Sequence, residues 1–174
     1  APDTANPSLW RNTQLNHIYG LFEVTDGIYQ VRGYDMSNVT FIKGDTGWIV
    51  IDPLMSVECA AAAFSLVEEN LGTFPVKAVI YSHSHVDHFG GVKGIISEED
   101  VQSGDVQVIA PEGFEKYAVS ENIYAGTGMG RRASYQYGTL LEAGETGSLA
   151  IGIGMGQSRG SASYISPTLE ITQT

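Results

Sequence analysis

The sequence is poor in cysteine and in positive charge. Its 174 residues include a single cysteine, Cys59, and 9 Lys and Arg against 20 Asp and Glu, for a formal net charge of −11. One cysteine excludes an internal disulfide. The acidic balance argues against nucleic acid and anionic membrane surfaces as partners, because their phosphates would be repelled. The sequence also lacks an apolar run of 18 residues, so we predict no membrane span.

The residues that are present suffice for one folded domain. Hydrophobic residues make up 43% of the chain, which is enough for a buried core. Residues 1–15 are polar and contain proline, and we predict that they form an extended N-terminal arm before a folded region over residues 16–174. The chain begins with Ala1 rather than methionine, which favours a mature end left by signal-peptide cleavage over an arbitrary boundary.

The first half of the chain carries clear secondary-structure signals. Turn residues between β-rich runs predict one hairpin in residues 18–33 and a second in residues 38–53. Ser56 can cap a helix that runs to about Asn70. The continuous apolar run over residues 76–82 predicts a strand covered on both faces.

The second half is less regular. We predict a strand over residues 106–110, a helix over residues 111–119 with Pro111 at its first position, and the start of another strand in residues 167–172. Strands and helices alternate up to residue 119, which predicts a sheet with helical cover.

The residues after Ser120 are rich in Gly, Ser and Tyr, and we predict a long irregular segment, either functional or disordered. Its Gly-rich stretch (residues 152–160) is a poor match to a phosphate-binding loop and favours a flexible loop instead.

Three of the four histidines follow the buried strand together with an aspartate. They are His83, His85 and His88, with Asp87 between the last two. In an extended backbone, His83 and His85 point the same way. The pair Gly90–Gly91 then permits a sharp turn and a close approach to a bound group.

This cluster predicts a metal site. Imidazole nitrogen and carboxylate oxygen are the ligands that zinc favours when no thiolate is available. Four ligands this dense would crowd one tetrahedral ion, so we predict two adjacent ions, with His83 and His85 on one and Asp87 and His88 on the other. Asp87 is also our candidate catalytic residue. The alternatives are histidines of a surface loop, histidines hydrogen-bonded in the core, and a metal site without catalysis.

Two stretches carry a resemblance to known proteins. SHSHVDHFGG (residues 82–91) resembles the signature of the metallo-β-lactamase superfamily, and FIKGDTGWIVIDP (residues 41–53) resembles that superfamily's opening strands. SENIYAGTGMGRRASYQYG (residues 120–138) resembles the alkylsulfatases, the branch that hydrolyses sulfate esters of long-chain alcohols such as dodecyl sulfate. The resemblance covers nearly the whole chain. It implies the α+β class, with the N-terminal part of an αββα sandwich, in a bacterial dizinc enzyme that is a homodimer and is periplasmic or secreted.

The resemblance also assigns roles to residues. His83, His85, Asp87 and His88 match the metal ligands of the family. Asp52 resembles the aspartate at the end of a strand that supports the metal site from behind, although a simple turn after the strand is the alternative.

The family completes its site with two glutamates and one histidine from far downstream. No histidine follows His88 in this sequence, and the last acidic residue is Glu170. The expected partner is therefore the remainder of the same polypeptide. We expect residues 1–174 alone to bind zinc weakly and to turn over little or no substrate, because catalytic zinc generally has three protein ligands. Taken literally, the chain alone would then be a non-catalytic metal-binding module. Another hydrolase of the superfamily, acting on a lactam, thioester or phosphodiester, is the other alternative.

Candidate substrate contacts lie in the stretch that resembles the alkylsulfatases. Arg131 and Arg132 are candidates for the sulfate head, because a guanidinium fork suits tetrahedral oxyanions. A structural ion pair with Glu121 or Glu142 is the alternative.

Two tyrosines of the same stretch are further candidates. Tyr135 and Tyr137 alternate with polar residues and are candidate pocket residues, with packing in the core as the alternative.

Overall fold

The computed structural model describes residues 1–173, and Thr174 lies outside the described residues. Within them, the α-helices are α1 (Pro7–Asn16), α2 (Val57–Leu71), α3 (Glu98–Gln102), α4 (Phe114–Val119) and α5 (Gly126–Tyr137). The β-strands are β1 (Gly20–Thr25), β2 (Ile28–Arg32), β3 (Val39–Lys43), β4 (Trp48–Ile51), β5 (Val76–Ile80), β6 (Gln107–Pro111) and β7 (Leu169–Ile171). Short 3-10 turns span Val86–His88 and Val92–Gly94, and a π-helical turn spans Ser120–Tyr124.

The strands of the described region form one seven-stranded sheet in the order of the sequence, from β1 to β7. Strands β1 to β4 pair antiparallel, which confirms both predicted hairpins. Strands β4 to β7 pair parallel, with helices in the connections. Across residues 1–173, no helix combines the length and the apolar character required to cross a bilayer.

Helix α2 covers the sheet where its antiparallel and parallel parts meet. The hydroxyl of Ser56 accepts a hydrogen bond from the backbone of Cys59 and caps the helix, as predicted. Ala60, Ala63 and Val67 are fully buried, and their spacing places them on one helix face. The small side chain of Ala60 lets the helix lie close to the glycine turn after the histidine loop, where a methyl group at Gly91 would meet it at 2.7 Å.

The prediction of an extended arm over residues 1–15 is wrong, because α1 occupies most of this segment. The side chain of Asn6 caps the helix by accepting from the backbone of Ser8 at 2.9 Å. Pro7 stands at the first helical position, where its missing N–H costs nothing and its fixed φ is already helical. Polar residues and proline indicated an irregular arm. Here a polar residue, Asn6, and a proline, Pro7, are the signals that begin a helix.

The helix predicted from Pro111 begins later, at Phe114. Pro111 is the last residue of β6 and pairs with Ile171 of β7. Gly113, at φ 74°, turns the chain into α4. Pairing with β7 keeps Pro111 in the strand and so delays the start of the helix. Since β7 lies far along the chain, the sequence around Pro111 does not reveal this pairing.

The irregular segment predicted after Ser120 is helical in its first part. The π-helical turn leads into α5, although Gly126, Gly128 and Gly130 each cost a helix up to about 1 kcal/mol relative to alanine. Residues 139–168 contain no named helix or strand, so the prediction is confirmed there.

The helix also changes how the two tyrosines relate to each other. Tyr135 and Tyr137 stand about 200° apart around a helix rather than on one face of a strand. The side chain of Tyr135 is 92% exposed, so packing in the core is wrong for this residue.

The glycine pair after the histidine cluster serves close packing of the chain on itself. A methyl group at Gly90 would overlap the carbonyl oxygen of Met55, and one at Gly91 would overlap that of Pro53. The backbone N–H of Gly91 donates to the carbonyl of Leu54 at 3.0 Å. The loop that carries the histidines therefore lies directly on the backbone that follows β4.

We predict that Gly91→Ala lowers the free energy of unfolding by about 1–3 kcal/mol, because the backbone atoms it meets cannot yield as a flexible side chain would. Gly128→Ala is the matched control. Nothing lies within 4 Å of the added methyl group in α5, and alanine in a helix is favoured by roughly 0.5–1 kcal/mol. Urea unfolding of both variants measures the difference. Equal stability of the two variants would contradict the packing argument.

Candidate metal centre and adjoining cavity

The site lies where the ends of β4 and β5 meet. Because these neighbouring strands are parallel, their carboxyl ends open on the same edge of the sheet. Asp52 follows β4, and its carboxylate accepts from the backbone N–H of Ser82 at 2.8 Å and from the Ser82 hydroxyl at 2.7 Å. The two strand ends are thus tied together at the point where the histidine loop begins.

Buried aromatic residues hold both ends of this loop. Tyr81 precedes it and Phe89 follows it, with ring centroids 6.0 Å apart. Both rings pack on Phe114 of α4, at 5.1 and 5.5 Å. The hydroxyl of Tyr81 donates to the carbonyl of Ile165. The loop therefore spans two points of the core, which limits how far its side chains can move.

The three imidazole rings gather above this base. The centroid of the His83 ring lies 4.6 Å from that of His85 and 4.1 Å from that of His88. His83 and His85 are exposed, whereas His88 and Asp87 are partly buried. The four predicted ligands therefore lie together at one edge of the sheet.

Each ring has at least one nitrogen engaged by a side chain of the protein. Ser82 gives its only hydroxyl hydrogen to Asp52, so it accepts from Nδ1 of His83 at 2.9 Å. Asp52 also accepts from Nδ1 of His88 at 2.9 Å. His85 differs, because its Nε2 contacts the carboxylate of Glu121 at 3.0 Å.

His88 and Asp87 form a closely coupled pair. Nε2 of His88 lies 3.1 Å from the carboxylate of Asp87. Burial lowers the pKa of His88, but hydrogen bonds to Asp52 and Asp87 outweigh burial and raise it to about 9. Burial raises the pKa of Asp87, but the hydrogen bond and charge of His88 hold it below its ordinary value. Burial and the neighbouring His88 lower the pKa of His83.

The turn after β4 is strained. Asp52 has φ 56° and Leu54 has φ 61°, values that are uncommon outside glycine and cluster at functional sites. Leu54 is fully buried, and burial of its side chain helps to offset the strain. The strained backbone turns the carboxylate of Asp52 toward the end of β5.

A second carboxylate, Asp35, joins three segments behind the cluster. Asp35 is 7% exposed. It accepts from the backbone of Met55 at 3.2 Å, and from both the backbone and the hydroxyl of Ser158, at 3.2 and 2.8 Å. Two residues along, the hydroxyl of Ser37 donates to the backbone carbonyl of Asp87. The Gly-rich stretch, the turn after β4 and the histidine loop are thereby linked.

A cavity of about 870 Å³ opens beside the cluster. His85 and Asp87 lie in its wall. Helix α5 contributes eight lining residues, of which Gly126, Met129, Ala133 and Tyr137 recur at intervals of three or four. This spacing places them on one helix face. Met36 and Met55 add apolar surface to the same wall.

Of the predicted substrate contacts, Arg132, Tyr135 and Tyr137 line this cavity, whereas Arg131 is not among its lining residues. The ion pairs of residues 1–173 are His85–Glu121, His88–Asp52, His88–Asp87 and Lys93–Glu98. Neither arginine takes part in them. The alternative of a structural pair with Glu121 or Glu142 is therefore wrong, and Glu121 contacts a histidine instead.

The imidazole and carboxylate groups of this cluster are of the kinds that bind divalent metal ions. Nε2 of His88 and the carboxylate of Asp87 face each other across a proton. A cation can bind both groups in place of that proton, because imidazole binds a metal only when neutral. His83 and His85 stand beside them with neighbouring rings. Within the described part of the chain, no three His, Cys, Asp or Glu side chains are arranged to hold one ion. Two ligands per ion therefore stays a prediction, and it requires further ligands from outside these residues.

Sequence reasoning missed several residues that shape this site. Ser82 was visible beside the histidines, but its role depends on the approach of Asp52 from another strand. Asp35 and Ser37 lie in an unremarkable loop, and no local pattern marks them. Glu121 lies in the stretch that resembles the alkylsulfatases, yet only the fold shows that it reaches His85.

Comparison with known proteins agrees with this geometry. The family model of the metallo-β-lactamase superfamily matches residues 32–163. The linear primary-alkylsulfatase of a Pseudomonas sp. is 55% identical over 100% of this chain and 26% of its own length. The alkyl/aryl-sulfatase of Saccharomyces cerevisiae is 51% identical over 98% of this chain and 26% of its own length. The chain thus spans about a quarter of the length of the curated relatives it matches.

A solved structure extends the comparison to the fold. The stereoselective inverting sec-alkylsulfatase of a Pseudomonas sp. matches with a TM-score of 0.95 and 48% identity, over 99% of this chain and 27% of that one. This match confirms the predicted fold and the resemblance to alkylsulfatases. Since the family model matches more than half of its residues, the chain belongs to the metallo-β-lactamase superfamily.

Proposed function

We propose that this chain is part of an enzyme that hydrolyses alkyl sulfate esters, such as dodecyl sulfate, to the alcohol and sulfate. The observation that carries the proposal is the cavity, in which His85 and Asp87 of the cluster share a wall with apolar side chains. A substrate with a charged head and a long apolar tail needs both kinds of surface. The similarity to alkylsulfatases over the whole chain supports the same assignment.

The apolar part of the cavity suits an alkyl chain. Three of the four methionines in the sequence, Met36, Met55 and Met129, line it. Methionine side chains are unbranched and flexible, so they adapt to apolar groups of different shape. Burial of the tail against them also keeps water away from the ester.

The polar part of the cavity suits the sulfate group. The guanidinium of Arg132 can bind two oxygens of a tetrahedral anion at once. It stands on the cavity wall and makes no ion pair within residues 1–173. Arg132 is therefore our first candidate for the sulfate head. Tyr135 and Tyr137 are further candidates, and Arg131 is a weaker one because it is not among the lining residues.

Membership of the superfamily implies a metal cofactor, and we propose two zinc ions. His83 and His85 would hold one ion, and Asp87 and His88 the other. When bound, zinc supplies Lewis acidity, which lowers the pKa of a coordinated water from about 15.7 to near 7. The chain orients these ligands, with Asp52 holding the ring of His88 by Nδ1. Asp87 stays in the proposal as the catalytic residue.

The remaining ligands, two glutamates and one histidine, belong to the proposed remainder of the polypeptide. The resemblance further implies a homodimer and a periplasmic or secreted location, and both are part of the proposal. Size-exclusion chromatography and cell fractionation test these two points independently of the chemistry.

We predict that the whole polypeptide containing this chain releases sulfate from dodecyl sulfate and carries two zinc ions per chain. Ion chromatography of sulfate and elemental analysis measure these quantities, before and after treatment with a chelator. Removal of zinc should abolish turnover, and added zinc should restore it. Residues 1–174 alone should bind zinc weakly and turn over little. Faster hydrolysis of a lactam, thioester or phosphodiester, or full activity without metal, would overturn the proposal.

A series of alkyl sulfates tests the apolar wall. Each methylene buried on binding contributes about 0.8 kcal/mol, so kcat/KM should rise up to about fourfold per methylene until the cavity is full. Met129→Gln should flatten this slope by making the wall polar. Met155→Gln is the matched control, since Met155 is 37% exposed, against 38% for Met129, and does not line the cavity. A slope that both substitutions leave unchanged would remove Met129 from the binding site.

We predict that Asp52→Asn weakens zinc binding by about 10–100-fold. One carboxylate oxygen accepts from the backbone N–H of Ser82 and the other from Nδ1 of His88, so a single amide oxygen cannot serve both donors. Asparagine tolerates the left-handed backbone of this position, so the fold should persist. Competition with a chromophoric chelator gives the affinity. Asp45→Asn, in the exposed turn between β3 and β4, is the control and should bind zinc normally. An affinity equal to that of the control would show that Asp52 serves only the turn.

A further inference from the structure

Glu121 makes two contacts with the histidine loop. One carboxylate oxygen lies 3.0 Å from Nε2 of His85, and the other accepts from the hydroxyl of Ser84 at 3.3 Å. The side chain of His85 is 56% exposed and that of Glu121 is 23% exposed. An ion pair this exposed adds little to stability. We therefore assign the contact a role in orienting the ring of His85 rather than in stabilising the fold.

The π-helical turn between α4 and α5 brings Glu121 to this position. Its next residue, Asn122, donates its side-chain amide to the carbonyl of Ser84 at 3.4 Å and to that of Ala118 at 2.9 Å. Glu121 and Asn122 thus both contact Ser84, one at its hydroxyl and one at its backbone. Isolated π-turns are frequent at functional sites. Here the turn anchors the middle of the histidine loop, between His83 and His85.

The carboxylate determines which nitrogen of His85 carries the hydrogen. A neutral imidazole has one donor and one acceptor nitrogen, and an ionised carboxylate only accepts. Nε2 of His85 therefore donates to Glu121, and the lone pair lies on Nδ1. No hydrogen bond of the described residues uses Nδ1 of His85. His83 and His88 differ, because their Nδ1 atoms are engaged by Ser82 and Asp52, and Nε2 of His88 also contacts Asp87.

We propose that Glu121 is a positioning residue for the metal site, which holds the Nε2–H of His85 and so presents Nδ1 to the cation. The proposal rests on the proposed function, because it concerns the metal site of that enzyme. A ligand histidine usually donates its other N–H to a carboxylate or carbonyl, which sets its tautomer and ring direction. Glu121 supplies this group to His85 as Asp52 supplies it to His88, but it comes from the helical wall of the cavity rather than from the sheet.

Two substitutions separate positioning from other roles. Glu121→Gln keeps an oxygen that can accept from Nε2–H, whereas Glu121→Ala removes the acceptor. Loss of such an acceptor typically costs 10–100-fold in metal affinity. We expect Glu121→Ala to weaken zinc binding by this factor and Glu121→Gln to retain most of the affinity. Glu69→Gln is the control, since Glu69 is exposed on α2 and does not line the cavity.

The measurement is competition for zinc between the whole protein and a chromophoric chelator, with the absorption spectrum of the cobalt-substituted protein beside it. Glu121→Ala with the affinity of the wild type would overturn the proposal. Glu121→Gln with a loss as large as that of Glu121→Ala, and a changed cobalt spectrum, would also overturn it, because Glu121 would then be a ligand itself.

A test without variants guards against a failure of Glu121→Ala to fold. In a crystal structure of the zinc-loaded wild-type protein, Nδ1 of His85 should lie about 2.0–2.1 Å from zinc, with Glu121 still on Nε2. Coordination through Nε2 would refute the assignment. These readouts are independent of substrate. If dodecyl sulfate is not hydrolysed but the zinc results hold, the proposed reaction fails and the role of Glu121 stands.

Discussion

The carboxylate of Asp52 is the interaction on which the site depends. It binds the backbone and hydroxyl of Ser82 and the ring of His88. These contacts exist because β4 and β5 are parallel neighbours, so the residue after one strand lies beside the residue after the other. One side chain thus joins the sheet to the histidine loop and orients a proposed ligand. The strained backbone at Asp52 is consistent with this double task.

The loop is held in advance of any ligand. Tyr81 and Phe89 fix its two ends in the core, and the glycines at its end let it lie on the backbone after β4. Asp35 and Ser37 hold the segments behind it, and the helical wall reaches its middle through Glu121. Side chains that are held in this way lose little freedom when they bind a cation. Such pre-organisation is what a metal centre requires of its supporting residues.

Local signals predicted much of this structure. Both hairpins, α2 and β5 follow from turn residues, a cap and an apolar run, which act over a few neighbouring positions. The four candidate ligands were visible because they lie within six residues of each other. The N-terminal helix and α5 were missed since their composition is that of loops. A cap at Asn6 decides the first. The second follows α4 and the π-helical turn almost directly, and it forms despite its three glycines.

The sequence by itself determined the family, the order of most elements, and the side chains that can bind metal, because each of these is written in a contiguous stretch. Only the tertiary structure decided what surrounds those side chains. Parallel pairing set Asp52 against Ser82 and His88, and burial set Asp35 among three segments. The π-helical turn carried Glu121 to His85 across a separation of 36 residues. Such contacts depend on the meeting of distant parts of the chain, which no local pattern of residues records.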